Sequence, residues 1–158
     1  MRGFKERGGQ VTRVEAFVDA AFAFAVTLTA IAGQEIPKSI DELRFALTGI
    51  PAFAMSFVLV MWIWSGHTRW SRAYGLDDDA SRTLSLLLVM LVLVFVYPLK
   101  MVFGAMFNAL TGHLLPAHFT ITSVAELPLL FMTFAIAFGS MGAAVWALYL
   151  RAWRMRDA

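Results

Sequence analysis

Residues 14–32 read VEAFVDAAFAFAVTLTAIA, an apolar run of membrane-crossing length that follows Arg13 and carries Glu15 in its first turn and Asp19 further in. About 20 predominantly apolar residues suffice to cross the hydrocarbon core of a bilayer. An ionisable side chain within such a run costs about 2.5–3.5 kcal/mol on insertion scales unless it faces a partner or water. The segment is therefore expected to be a spanning helix that is more than a passive anchor, and where its charged residues point decides its role.

The rest of the chain agrees with a membrane setting. Of the 158 residues, 59% are hydrophobic and 15% are charged, with a mean hydropathy of +0.70. Soluble domains average about 45–50% apolar and about 25% charged. Three further stretches reach spanning length, at residues 45–65, 84–103 and 127–150. The predicted fold is an all-α integral membrane bundle of four transmembrane helices, a single membrane domain over residues 1–158. Cysteine is absent, which excludes disulfides and thiolate metal sites.

The basic residues are unevenly placed. Arg2, Lys5, Arg7 and Arg13 precede the first span, Arg69, Arg72 and Arg82 separate the second from the third, and Arg151, Arg154 and Arg156 follow the fourth. That puts ten of the 13 Lys and Arg on one side, with Lys38, Arg44 and Lys100 nearer the other. The positive-inside rule then places both termini in the cytoplasm, in a multi-pass protein of the cell (inner) membrane. Trp62, Trp64, Trp70, Tyr74, Trp146, Tyr149 and Trp153 cluster at the same ends, as an interfacial aromatic belt does. A rival reading takes the basic leader, the apolar run and Ala30-Ile31-Ala32-Gly33 as a cleaved signal peptide. Glu15 and Asp19 oppose it, because signal h-regions are normally uncharged.

Between the spans, residues 34–41 suit a turn, and Gly49 and Pro51 suit a kink or a helix start. Asp77-Asp78-Asp79 fits the negatively charged first turn of the third spanning helix. Lys100 lies close enough to the outer interface to snorkel. The outer segment, residues 104–125, contains His113 and His118 and has room for a short interfacial helix. In the fourth span Ala135, Gly139 and Ala143 form a small-residue face suited to close helix packing.

On a helical wheel of about 100° per residue, Phe17, Phe24, Leu28 and Ile31 share one stripe of the first span, with Thr27 beside it. Lipid contact or ordinary bundle core accounts for such a stripe. So does a symmetric ring of large apolar side chains closing a pore, a constriction that gates by dewetting. Thr27 then adds a ring of hydroxyls able to replace part of an ion's hydration shell. Asp19 lies about 140° from Phe24, so it points back into its own bundle and needs a partner there. His67 is either a plain interfacial residue or a member of an interhelical network with Arg13 or Asp19.

Metal and haem sites are not supported, because His67 is on one side and His113 and His118 are on the other. No phosphate loop and no nucleophile–base constellation is present, so nothing argues for an enzyme. No nucleic-acid partner and no bound cofactor is expected.

At this point the residues acquire a likeness. Arg13-Val14-Glu15-Ala16-Phe17-Val18-Asp19 resembles the Arg-x-x-x-Phe-Ser-Asp signature of the transmembrane protein 175 potassium channels, and the match runs on through Phe24-Ala25-Val26-Thr27-Leu28. Trp64-Ser65-Gly66-His67 is similar to the family's Trp-x-x-His at the end of the second helix, and the apolar run into Tyr97-Pro98 also resembles it. The resemblance implies a homotetramer whose first helices line a central cation path without the TVGYG filter of ordinary potassium channels. It implies constriction layers at Phe24, Leu28 and Ile31 and a hydroxyl layer at Thr27 that favours potassium. It also implies a structural polar network of Arg13, Asp19 and His67. Val18 departs from the signature Ser, and Phe24 stands where Ile or Leu is usual. Prokaryotic members typically have six spans, against four here.

The reading is thus a potassium-favouring, oligomeric cation channel in the lipid bilayer, with potassium ions as transient ligands. Two alternatives stay open. One is a small secondary transporter coupled through Asp19 or Glu15; the other is a non-transporting membrane subunit packing through the Ala135, Gly139 and Ala143 face.

Overall fold

The computed structural model describes residues 11–31, 36–112, 114–115 and 123–156, which form helices and short connections without strands among the described residues. His113 and His118 lie outside the described residues. Among the described residues four helices are long and apolar enough to span a membrane: α1 (Arg13–Ile31), α3 (Ile50–Tyr74), α4 (Asp79–Leu110) and α5 (Leu127–Arg156). A short helix, α2 (Ile40–Leu47), precedes α3, and a single 3₁₀ turn, Val124–Glu126, leads into α5.

Local chemistry sets the helix starts. Thr12 caps α1, its Oγ1 accepting from the Glu15 amide at 3.1 Å, in the spacing of a capping box. The carboxylate of Glu15 thereby falls in the first turn, where the helix dipole favours negative charge. Ser39 caps α2 in the same way, accepting from the Glu42 amide at 3.1 Å, while Glu42 Oε2 accepts from the Lys38 amide at 2.6 Å. Pro51 sits in the first turn of α3, where its missing N–H has no intrahelical role. That helix ends at Gly75, whose φ of 50° is the left-handed conformation glycine adopts without strain. Asp78 caps α4, accepting from the amides of Ala80 and Ser81.

Helix α4 is the centre of the bundle and packs against α1, α3 and α5. Its buried residues Leu88, Val92, Val96 and Leu99 meet Val18, Phe22 and Ala25 of α1, Val60 and Ile63 of α3, and Met141 of α5 in one apolar core. In lipid such contacts act through close packing more than through exclusion of water, so small residues at helix crossings matter. Gly66 is one: a Cβ there would stand 3.3 Å from Val145 Cγ1 on α5.

Several expectations need correcting. The second spanning helix starts at Ile50, because Thr48 and Gly49 separate it from the amphipathic α2, and it runs on to Tyr74. Helix α4 continues through Pro98 and Gly104 to Leu110, which shortens the outer segment. Ala135, Gly139 and Ala143 take no part in packing within the protomer: they are exposed, and a Cβ on Gly139 would meet nothing within 4 Å, so any packing through this face would be against another chain. The inward side of α5 carries Ala137, Met141, Ala144 and Leu148 instead. Trp70 is not a belt residue either: it is buried, and its Nε1 donates to the Leu148 carbonyl at 2.8 Å.

Candidate functional site

Helix α1 has two faces. Val18, Phe22, Ala25 and Thr29 recur at helical spacing and are buried against α3 and α4. Phe17, Phe24 and Ile31 lie roughly 130° around the helix from them and are 55%, 57% and 60% exposed. Thr27 is exposed beside them, and its Oγ1 donates to the Ala23 carbonyl at 3.1 Å, which leaves the hydroxyl lone pairs directed away from its own backbone. Leu28 differs from its companions on the stripe. It is half-buried and packs against the bundle core.

The hydrogen bonds of the polar residues reach beyond the expected trio. Asp19 Oδ1 accepts a hydrogen bond from Trp64 Nε1 of α3 at 2.7 Å. His67 is buried, with Nε2 and Ser85 Oγ of α4 3.0 Å apart, and its ring lies against Trp70 at a centroid distance of 5.7 Å. Its Nδ1 has no hydrogen-bond partner among the described residues. A cavity of about 10 Å³ beside it, lined by Thr12, Glu15, Ser81 and Ser85, has the size of one water. Among the described residues the Arg13 side chain makes no hydrogen bond or ion pair, and Asp19 and His67 are not bonded to each other. Two hydrogen-bonded pairs, Asp19–Trp64 and His67–Ser85, thus join α1 to α3 and α3 to α4, and the Asp19 carboxylate lies near enough to His67 to act on it electrostatically.

Two further contacts position these helices. Lys100 does not snorkel: it is only 8% exposed, and its Nζ donates to the Ala30 carbonyl at 3.4 Å. It therefore caps the C-terminal end of α1, where free carbonyls and the helix dipole favour a cation. At the opposite end of the bundle, Arg151 of α5 donates from Nε to Asp78 Oδ2 at 2.8 Å and from Nη2 to the same oxygen. Burial alone would raise the Asp78 carboxyl, but the hydrogen bonds from Arg151 and Ser81 outweigh it and hold the group down at about 2. Sequence spacing carries no sign of either contact, since Lys100 and Ala30 lie 70 residues apart and Arg151 and Asp78 lie 73 apart.

These features define a class: a multi-pass helical membrane protein whose first helix is held on one flank by its own bundle and leaves a large apolar face open on another. The profile of the endosomal/lysosomal potassium channel TMEM175 matches residues 13–98, and the chain belongs to that family. A protein of Marivirga tractuosa named as a potassium channel is 31% identical over 161 aligned residues, covering 98% of this chain and 64% of the relative. This chain therefore spans a little under two thirds of that relative's length. The crystal structure of the potassium channel MtTMEM175, as a threonine-to-alanine variant bound to a nanobody–MBP fusion, superposes with a TM-score of 0.85 at 28% identity, covering 99% of this chain and 69% of that one.

Proposed function

We infer that the chain assembles as a homotetramer around α1 and conducts monovalent cations, favouring potassium, across the cell membrane. The observation that carries this reading is the open face of α1. Phe17, Phe24, Ile31 and Thr27 find no cover in their own bundle, although Asp19 and Lys100 fix the helix in place beside it. Four such faces around an axis bring large apolar side chains together as rings, and a dry ring of this kind closes a path by dewetting. In this arrangement Phe24 and Ile31 narrow the path, Leu28 backs them from the flank, and Thr27 offers hydroxyl oxygens to a partly dehydrated ion. Ala16, Ala20 and Ala23 on the exposed side are small enough for neighbouring copies of α1 to approach. Family membership supports the same reading, as do relatives named as potassium channels.

The basic ends of the helices support a topology with both termini in the cytoplasm, and this reading takes the whole chain as one membrane domain. The two carboxylates of the transporter alternative already have structural roles. Asp19 accepts from Trp64, and Glu15 lies in the capped first turn of α1. The test is potassium and sodium flux into liposomes holding the purified protein, with Phe24→Ala beside wild type. Potassium-favouring flux that rises in the variant is expected. Identical flux in the two proteins, or pH-coupled uptake abolished by Asp19→Asn, overturns the reading.

A further inference from the structure

Away from α1 the bundle has a concave feature between α4 and α5. A groove of about 530 Å³ runs between the first turns of α4 and the last turns of α5, lined by Ala80, Leu84, Ala147, Leu150, Arg151 and Arg154 among others. Its wall is mainly apolar where α4 and α5 enter their spanning stretches, and Arg151 and Arg154 contribute to its lining. Exposed Trp146 and Trp153 on the same helix mark this level as a membrane interface.

These two charges are unequal. Arg151 is committed to Asp78. Asp77 and Asp79, the remaining acids of the neighbouring turn, are paired with Arg82. Arg154 is exposed and makes no hydrogen bond or ion pair to any described residue. A guanidinium without an acidic partner among the described residues, lining a mainly apolar slot, is complementary to a molecule with an anionic head and a hydrocarbon tail. Guanidinium groups bind phosphate oxygens through paired N–H donors, and basic pockets between spanning helices are suited to anionic headgroups.

We propose that this groove is a binding site for an anionic phospholipid, the phosphate held at Arg154 and the first part of an acyl chain lying along Leu84, Ala147 and Leu150. Occupancy bridges α4 and α5 at the level of the Asp78–Arg151 pair and reinforces that end of the bundle. The site is independent of the ion path, because none of its residues lies on α1.

The test is native mass spectrometry of the purified protein released from micelles containing equal amounts of phosphatidylglycerol and phosphatidylcholine. Wild type is expected to retain phosphatidylglycerol preferentially. Arg154→Gln should lower that preference about fivefold, the share of one interfacial arginine, and Arg154→Lys should keep much of it. Ala147→Phe, which fills the slot and leaves the charge, should lower retention as well. Equal retention of the two lipids by wild type, or an unchanged preference in Arg154→Gln, overturns the site. Displacement of the lipid by millimolar glycerol phosphate overturns the acyl-chain part, because the headgroup alone then accounts for binding. A change of subunit number in Ala147→Phe at unaltered lipid retention makes the groove a protein contact and overturns the proposal too.

Discussion

The indole N–H of Trp64 donates to the Asp19 carboxylate at 2.7 Å, which ties the second turn of α1 to α3 through one charge-assisted bond. Asp19 is thus the partnered acid that its position in an apolar span requires. Trp64→Phe removes the donor and keeps the ring. Hydrogen bonds between spanning helices contribute about 0.6 kcal/mol on average and about 1.7 at most. A loss within that range is expected in thermal unfolding of the detergent-solubilised protein. Asp19→Asn, which retains an acceptor oxygen, should lose less than Asp19→Leu; equal losses would mean that the bond contributes nothing.

The two faces of α1 give a contrast between neighbours. Phe22 is 1% exposed and Phe24 is 57% exposed. Phe22→Ala opens a cavity in the core and should cost about 3 kcal/mol, the low end of soluble-core values because lipid already solvates the unpacked helix. Phe24→Ala should leave the stability of the protomer nearly unchanged and alter ion flux instead. Parallel unfolding and liposome-flux measurements on the two variants separate these effects.

Lys100 predicts a local effect. Lys100→Met keeps the length and packing of the side chain and removes its bond to the Ala30 carbonyl. The last turn of α1 should then exchange its amide hydrogens faster, with little change near Val18 and Phe22. Uniform exchange along α1 in both proteins would show that the end of the helix is held by packing alone.

Asp78 and Arg151 give a pH dependence. The folded-state carboxyl is depressed from an ordinary 3.8 to about 2. Its contribution to stability is therefore complete above about pH 4 and is lost as the pH falls towards 2. Asp78→Asn should flatten the acid limb of the stability profile in that window and leave the neutral part parallel to wild type. Acid titrations of both proteins followed by circular dichroism test this, and superimposable acid limbs would sink it.

Much of this architecture is legible in the sequence, for physical reasons. A run of apolar residues long enough to cross a bilayer has few other uses, so the four spanning helices stand out from hydropathy. The Phe17, Phe24 and Ile31 stripe is equally visible, because a period of about 3.6 residues survives any packing. What is not legible is which neighbour each polar group finds. Trp64 reads as a belt residue from its place near a basic loop, yet it serves Asp19. Lys100 reads as a snorkelling cation from its place near a helix end, yet it caps a different helix. The small face of α5 reads as a packing surface, but within the protomer the bundle uses the side bearing Met141 and Leu148 and leaves the small face exposed. In each case the partner is distant in sequence, and composition alone carries no information about it.

The two ties on α1 act at different levels and on the same flank. Asp19 is fastened to α3 in the second turn, and the Ala30 carbonyl is fastened to α4 near the other end. A helix secured in this way behaves as a shaft in two bearings: it tilts as a piece with its bundle, but turning about its own axis pulls against both. The Phe24 face is thereby fixed in azimuth. In the proposed assembly, widening between neighbouring copies of α1 then comes from whole protomers leaning apart or from the phenyl rings changing rotamer.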